Sequence, residues 1–365
     1  MGHDAQGTAP VLVHWCQLIH GLTLGPVDTS RVRKSWRRAG RRTNVGVFVL
    51  LAGAFLTGWL VFAASAPFPA TLATLAHGCF GLGLVVLVPW KNVVVRRAPS
   101  ITLVSALLLI VIVVCLVAGL VQVVAGFGYV LGLSPIQVHV GAALAAVPLL
   151  AWHLSRHRGQ RPRRADASRR VLMRALALTA VTGVGYAGLK AVAQVSRGPD
   201  RRPVATGSRP LSADDIPATI WLLDRVPALD ALTHHVDIGG TPIGWNDLDA
   251  RGGPVHARLD CTSGWFAEAT WTGVRLADLI PGPDLAAADS VAVTSVTGYT
   301  RRFPISEAAD LWLVTRCQGR PLSAGTGAPV RLVAAQRRGF WWVKWVASVQ
   351  LSQVPAWRQL PFPPQ

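Results

Sequence analysis

Two hydrophobic patterns divide the chain. In its first half the apolar residues form unbroken runs, at about 45–65, 71–90, 101–125, 137–154 and 171–192. Each run approaches or exceeds the roughly 20 residues an α-helix needs to cross the hydrocarbon core of a bilayer, so five membrane-spanning helices are predicted. Beyond residue 215 the runs become short and are bounded by Gly and Pro. His235–Ile238, Val255–Leu259, Val291–Val296, Val330–Val333 and Val343–Leu351 read as strands. Short helical pieces are predicted at Leu276–Ile280 and Ile305–Leu313, with Ser306 as a cap, and Trp271-Thr272-Gly273-Val274 reads as a turn. The fold class is therefore multi-domain, an N-terminal transmembrane α-helical bundle followed by a C-terminal α+β domain. The boundaries are a basic N-terminal segment at 1–43, the membrane region at 44–192, a Gly-, Ser- and Pro-containing linker at 193–215, and the second domain at 216–365.

Charge sets the topology. The chain carries 36 Lys and Arg against 18 Asp and Glu, a formal net charge of +18. A nucleic-acid partner is not indicated, because the basic residues flank the apolar runs, where they act as topology determinants. Loops 66–70 and 126–136 hold no Lys or Arg; the alternate connections hold Lys91, Arg96 and Arg97, then Arg156 to Arg170. The positive-inside rule puts the N-terminus in the cytoplasm, and five crossings put everything after residue 192 outside it. The expected location is the cell membrane, as a multi-pass protein in contact with lipid. The apolar stretch from Pro10 to Leu24 is interrupted by His14 and His20 and is too short to span. Ser168-Arg169-Arg170-Val171-Leu172 looks like a twin-arginine export signal in mid-chain, or a plain basic anchor.

Polar groups inside a bilayer are costly and mark candidate functional sites. His77 and His139 fall near the starts of the second and fourth runs, which cross in the same direction. Both belong near the outer face, the arrangement for one b-type haem held by two imidazoles. His153 follows His139 by fourteen residues, about 21 Å along a helix, with no partner histidine at its level. Trp90 and Lys91 read as an interfacial snorkelling pair.

The five cysteines, at 16, 79, 115, 261 and 317, include no CxxC pair. Cys261 stands in Arg258-Leu259-Asp260-Cys261-Thr262-Ser263-Gly264-Trp265. About seventy residues on come Gly327-Ala328-Pro329-Val330-Arg331 and Gly339-Phe340-Trp341-Trp342-Val343-Lys344-Trp345. Together these segments resemble the molybdopterin-binding domain of the sulfite oxidase family, most closely its periplasmic methionine sulfoxide reductase catalytic subunit, over roughly Ile216 to Trp357. The resemblance implies that Cys261 supplies a thiolate to molybdenum, that Arg331 grips the phosphate end of the pterin, and that Trp342, Val343 and Lys344 wrap it. It places Thr326 where the reductases have Asn, and Ser295 near a family Thr that touches the cofactor. It gives Cys317, in a Gln318-Gly319-Arg320-Pro321-Leu322 turn, a structural role. The chemistry is coherent, since a sulfur-rich molybdenum centre suits a protein thiolate, and a coordinated thiol is deprotonated outright.

Two departures from that family stand out. Only a short stretch follows Arg331, so the immunoglobulin-like domain of sulfite oxidases is not expected here. The membrane part is fused rather than a separate polypeptide. Arg301, Arg302, Arg316, Arg337 and Arg338 are candidates for an anionic substrate, or solvated charge. The resulting expectation is a membrane-anchored molybdenum–molybdopterin oxidoreductase transferring an oxygen atom to or from a small S-oxide, N-oxide or sulfite-like substrate. Its electrons would be exchanged through a membrane haem, a quinone or a redox protein. The rivals are a haem-free anchor and a non-catalytic binding or sensory module.

Overall fold

The computed structural model describes residues 40–63, 67–97, 102–126, 128–129, 133–156, 169–195, 204, 206–220 and 225–359. Most of the basic N-terminal segment, including Cys16, lies outside them, as do His157 and the arginines between 158 and 164. Five helices are long and apolar enough to cross a membrane. They are α1 (Arg41–Ala63), α2 (Pro67–Arg96), α3 (Leu103–Val124), α4 (Pro135–Arg156) and α5 (Arg169–Val195). Most exceed the apolar runs by a few residues, because a helix satisfies its own backbone and continues into the polar layer, where Arg41, Arg96, Arg156 and Arg169 stand. Residues such as Ile110, Val181 and Val184 stay exposed on the bundle surface, where lipid is the solvent.

The bundle contains a repeat. Hairpin α1–α2 packs tightly within itself, α3–α4 does the same, and α5 lies mainly against α2. Three interhelical contacts of the first hairpin recur in the second, 61 or 62 residues later. Lys91 Nζ donates to Asn44 Oδ1 at 3.0 Å, and His153 Nδ1 meets Ser105 Oγ at 3.0 Å. His77 Nδ1 bonds the Ala54 carbonyl at 2.8 Å, and His139 Nδ1 bonds the Cys115 carbonyl at 2.7 Å. A Cβ on Gly58 would come within 3.0 Å of the His77 ring, and one on Gly119 within 2.9 Å of the His139 ring. The matched positions seat each imidazole in the same way against its neighbouring helix. Lys91, expected at the interface, thus bonds inside the bundle.

The α+β domain holds two sheets. One has the order β1–β5–β8–β10, with β4 paired to β5 and β9 to β8; the other has the order β3–β2–β11–β6–β7. The strands are β1 (Arg209–Pro210), β2 (His235–Ile238), β3 (Thr241–Gly244), β4 (Gly253–Asp260), β5 (Trp265–Arg275), β6 (Ser290–Ser295), β7 (Thr300–Pro304), β8 (Leu311–Cys317), β9 (Arg320–Pro321), β10 (Arg331–Ala334) and β11 (Val346–Ser352). Alternating inward residues of β4 and β5 (Leu259, Trp265, Ala267, Ala269, Trp271) join Val291, Val293, Leu313 and Leu332 in one core.

Three local expectations are corrected. Trp271–Val274 lies within the last part of β5, not in a turn: the register slips between Thr272 and Gly273, where a Cβ would strike the backbone of Leu313 and Val314. The glycine serves a bulge and a close strand approach rather than a reversal. Ile305–Leu313 is not one helical piece. A 3-10 turn at Ile305–Asp310, with Pro304 and not Ser306 at its N-cap, gives way to strand β8. The linker is partly structured, since β1 within it pairs in parallel with the start of β5 and Ser208 is buried.

The domain caps one end of the bundle. The Val61 carbonyl near the end of α1 accepts from Arg338, and the Val123 carbonyl near the end of α3 accepts from Arg209. Arg96, Arg156 and Arg169, at the ends of α2 and α4 and the start of α5, mark the opposite face.

Candidate active site and intramembrane histidine pair

Cys261 sits in the tight connection from β4 to β5. The Cys261 N–H donates to the Trp265 carbonyl at 2.8 Å, and Gly264, at φ +89°, returns its N–H to the Cys261 carbonyl at 3.1 Å. A left-handed residue closes that turn, which glycine adopts without steric cost. The thiol is 7% exposed and receives the Ser263 N–H at 3.5 Å, a backbone donor suited to a thiolate. Asp260 anchors the loop through Thr206 Oγ1 at 2.8 Å and Ser208 Oγ at 2.5 Å. A Cβ on Gly339 would lie 3.3 Å from Cys261 Cα, so the Gly339–Lys344 segment is seated directly against the cysteine.

Arg331 opens β10 and is 3% exposed. Nη1 donates to the Thr326 carbonyl at 2.8 Å, and the guanidinium lies 5.5 Å from the ring centroids of both Trp271 and Trp342. Burial pulls its pKa down to about 10, while the Cys261 and Cys317 sulfurs act in the opposite sense. Burial pushes the Cys317 thiol up, with Arg331 opposing. Gly327, at φ +115°, brings its backbone between Arg331 and Lys344; a Cβ there would come within 3.2 Å of Cβ of each. Lys344 Nζ donates to the carbonyls of Gly325 at 2.6 Å and Thr219 at 2.7 Å. The Thr326 side chain is engaged with Ser323 in a capping box. Trp342 and Val343 are buried, and Leu332 N–H bonds the Val343 carbonyl at 2.7 Å. Ser295 is buried at the end of β6 beside Val346, with Oγ 3.2 Å from Thr297 Oγ1. Pairwise contacts thus link Arg331 to Thr326 and Trp342, Gly327 to Arg331 and Lys344, and Gly339 to Cys261, while Ser295 pairs with Val346 just beyond them.

These residues fit an anionic, sulfur-bound cofactor. Among the described residues Arg331 Nε is buried without a hydrogen-bond partner, as are Trp265 Nε1 and Thr219 Oγ1, next to Cys261 and Lys344 respectively. Buried donors are normally satisfied, and an unsatisfied guanidinium nitrogen is a place for a phosphate oxygen. The other arginines are otherwise occupied. Arg316 pairs with Asp249 at 2.7 Å and Arg337 with Glu307. Arg301 is 1% exposed, with its guanidinium 3.9 Å from the Phe340 ring centroid; Arg302 reaches Ser290 Oγ, and Arg338 turns to α1. Sequence reasoning missed Ser208, Arg209, Thr219 and the docking role of Arg338. The first three sit in or beside a stretch read as linker, and only the fold brings them to the site.

Inside the bundle, the rings of His77 and His139 meet edge to face, with centroids 5.6 Å apart and planes at 89°. Each Nδ1 bonds a backbone carbonyl, which can only accept, so Nδ1 carries the proton and Nε2 presents a lone pair. Among the described residues neither Nε2 has a hydrogen-bond partner. Metal-bound histidines are held in this way by their second nitrogen. Among the described residues no three His, Cys, Asp or Glu side chains converge as a protein-only metal site.

Comparison with known proteins bears on the α+β domain. Residues 225–359 match the family model of the oxidoreductase molybdopterin binding domain. Matching solved structures include the sulfane dehydrogenase SoxCD from Paracoccus pantotrophus, at 20% identity and a TM-score of 0.32, covering 35% of this chain and 40% of that one. The chain thus spans less than half the length of that relative. No curated protein matches. The architecture is a helical membrane-spanning region joined to an α+β molybdopterin-binding domain.

Proposed function

We propose that this protein is a membrane-anchored molybdenum-cofactor oxidoreductase working on the extracytoplasmic side, where it transfers an oxygen atom to or from a small S-oxide, N-oxide or sulfite-like substrate. The observation that carries the reading is the single constellation of a buried Cys261 with an N–H on its sulfur, a buried Arg331 with an unfilled donor, and the Gly327–Lys344 wrap between them. When bound, molybdenum with its pterin supplies the two-electron oxygen-atom chemistry. The residues of this chain would hold it: Cys261 would bind the metal through sulfur, Arg331 would take the phosphate end, and the segment Trp342, Val343 and Lys344 would contact the pterin.

Reduction of an S-oxide breaks the sulfur–oxygen bond, consumes two protons and two electrons, and releases the sulfide and one water. For sulfite the balance runs the other way, with oxygen gained from water and two electrons released. We assign the electron exchange to the membrane region. Two neighbouring imidazoles inside the bundle, each with Nδ1 tied to a backbone carbonyl, support a b-type haem that His77 and His139 would hold through Nε2. A membrane quinol oxidised to its quinone gives up two protons and two electrons, which balances S-oxide reduction. Arginines at the bundle end opposite the domain support an extracytoplasmic site.

Element analysis and an absorption spectrum on one purified sample test this reading. About one molybdenum per chain and a reduced b-type α band are expected. Protein from a cofactor-competent host that lacks molybdenum overturns the enzyme reading; molybdenum without a haem band overturns the electron route.

A further inference from the structure

We infer that Arg338 and Arg209 form a latch that holds the Cys261 loop on the ends of α1 and α3, and so fixes the gap between the intramembrane histidine pair and the molybdenum site. The inference rests on the functional reading above and adds the residues that couple the two halves.

Arg338 is 7% exposed and meets three partners at once. Nη1 donates to the Val61 carbonyl at 2.8 Å, Nη2 to the Cys261 carbonyl at 3.5 Å, and Nε lies 3.4 Å from Asp260 Oδ2. Val61 belongs to the last turn of α1, where carbonyls lack helical partners and the helix dipole is negative. Arg209, 9% exposed, makes the matching contact, donating from Nη2 to the Val123 carbonyl of α3 at 2.9 Å. Its own N–H bonds the Gly264 carbonyl at 2.9 Å. Each end of the Cys261–Gly264 loop is therefore tied through one buried arginine to one of the two repeated helices.

Packing follows the same line. The Phe340 ring meets Phe62 of α1 edge to face at 4.7 Å. Gln122 of α3 presses on the loop so closely that a Cβ at Gly264 would lie 2.5 Å from its Nε2. An arginine over a helix C-terminus is by itself an ordinary stabilising contact. Here there are two, on equivalent helices, and both hold the loop that carries the proposed metal thiolate. The helices also carry the carbonyls that orient the histidines. Ala54 lies seven residues before Val61, and Cys115 eight before Val123, about 10–12 Å along each axis. The latch fixes the loop to the same two rods that hold the imidazoles. Arg338 and Arg209 act through backbone and are positioning residues.

The test uses the full chain in lipid nanodiscs. Methionine sulfoxide reduction is measured with decylubiquinol, which donates through the membrane region, and with reduced methyl viologen, which reaches the outer site from solution. Hydrogen exchange of residues 258–264 is followed separately in protein made without the cofactor. Arg338→Ala is expected to lower the quinol-to-viologen rate ratio at least tenfold and to speed exchange of the loop. Arg338→Lys should recover part of both, and Phe62→Ala should lower the ratio from the membrane side without touching the loop. An unchanged ratio, or both rates falling in proportion, overturns the coupling role. Unchanged exchange overturns the latch itself. Wild-type protein without quinol-driven turnover overturns the electron route, and the coupling role with it, while exchange still decides whether the arginines dock the loop.

Discussion

Replacing Arg331 with Met separates a structural arginine from one kept for a ligand. The guanidinium is 3% exposed, and burial moves its pKa from its ordinary value down to about 10. That shift corresponds to about 3 kcal/mol against the charged form. For a base with a lowered folded pKa, this penalty is fully present at pH 7 and is relieved only as pH rises above 10. Against it stand the bond to the Thr326 carbonyl, worth about 1 kcal/mol, and two cation–π contacts of about 1 kcal/mol each. These terms nearly cancel. In cofactor-free protein Arg331→Met should therefore shift stability by no more than about 1 kcal/mol, whereas an arginine whose charge served a buried protein partner would cost about 3–5 kcal/mol on removal. With cofactor present, the variant loses charge-assisted bonds worth about 1.5–3 kcal/mol each. Molybdenum retained through gel filtration should fall at least tenfold. Chemical denaturation of the cofactor-free form and metal analysis of the loaded form read the two effects apart. A loss of about 3 kcal/mol or more without cofactor, or full molybdenum retention, refutes the reasoning.

Further outcomes follow from the same geometry. His77→Ala and His139→Ala should each abolish a b-type absorption while molybdenum content stays at the wild-type level, as spectra and metal analysis on one preparation would report. Gly273→Ala forces β5 away from β8, because the new methyl meets backbone rather than a movable side chain. A cost of about 2–4 kcal/mol is expected in denaturant titrations, and a neutral result would contradict the close strand approach. The Asp249 carboxyl is held below its ordinary range by hydrogen bonds from Arg316, opposed by burial and aided by Thr315. A lowered folded pKa stabilises above the unfolded carboxylate pKa and is lost as pH falls through the folded one. Asp249→Asn should accordingly melt below wild type at neutral pH and converge with it on acidification.

The membrane helices were legible because a spanning run needs only its own sequence, the lipid supplying the surroundings. Strands β2, β4, β6 and β10 were legible from short apolar or alternating stretches between Gly and Pro breakers. What failed depended on neighbours. Gly273 looks like a turn until Leu313 is known to press on it, and Leu311–Cys317 shows its strand character only beside β5 and β10. The repeat of the hairpins is only partly visible in the sequence: His77 matches His139 and Gly58 matches Gly119, but Asn44 stands against Ser105, Lys91 against His153 and Ala54 against Cys115. At the site, Cys261, Arg331 and Lys344 were marked by a family resemblance. Arg338 offered only a charge beside Arg337, and its partner, the Val61 carbonyl, has no side-chain signature.

Molybdenum X-ray absorption on wild type and Cys261→Ser tests the central claim most directly. The account predicts a metal-loaded wild type with one protein sulfur beyond those of the pterin, and a variant that lacks that sulfur or fails to keep the metal. Stoichiometric molybdenum with an unchanged sulfur shell in the variant would contradict it.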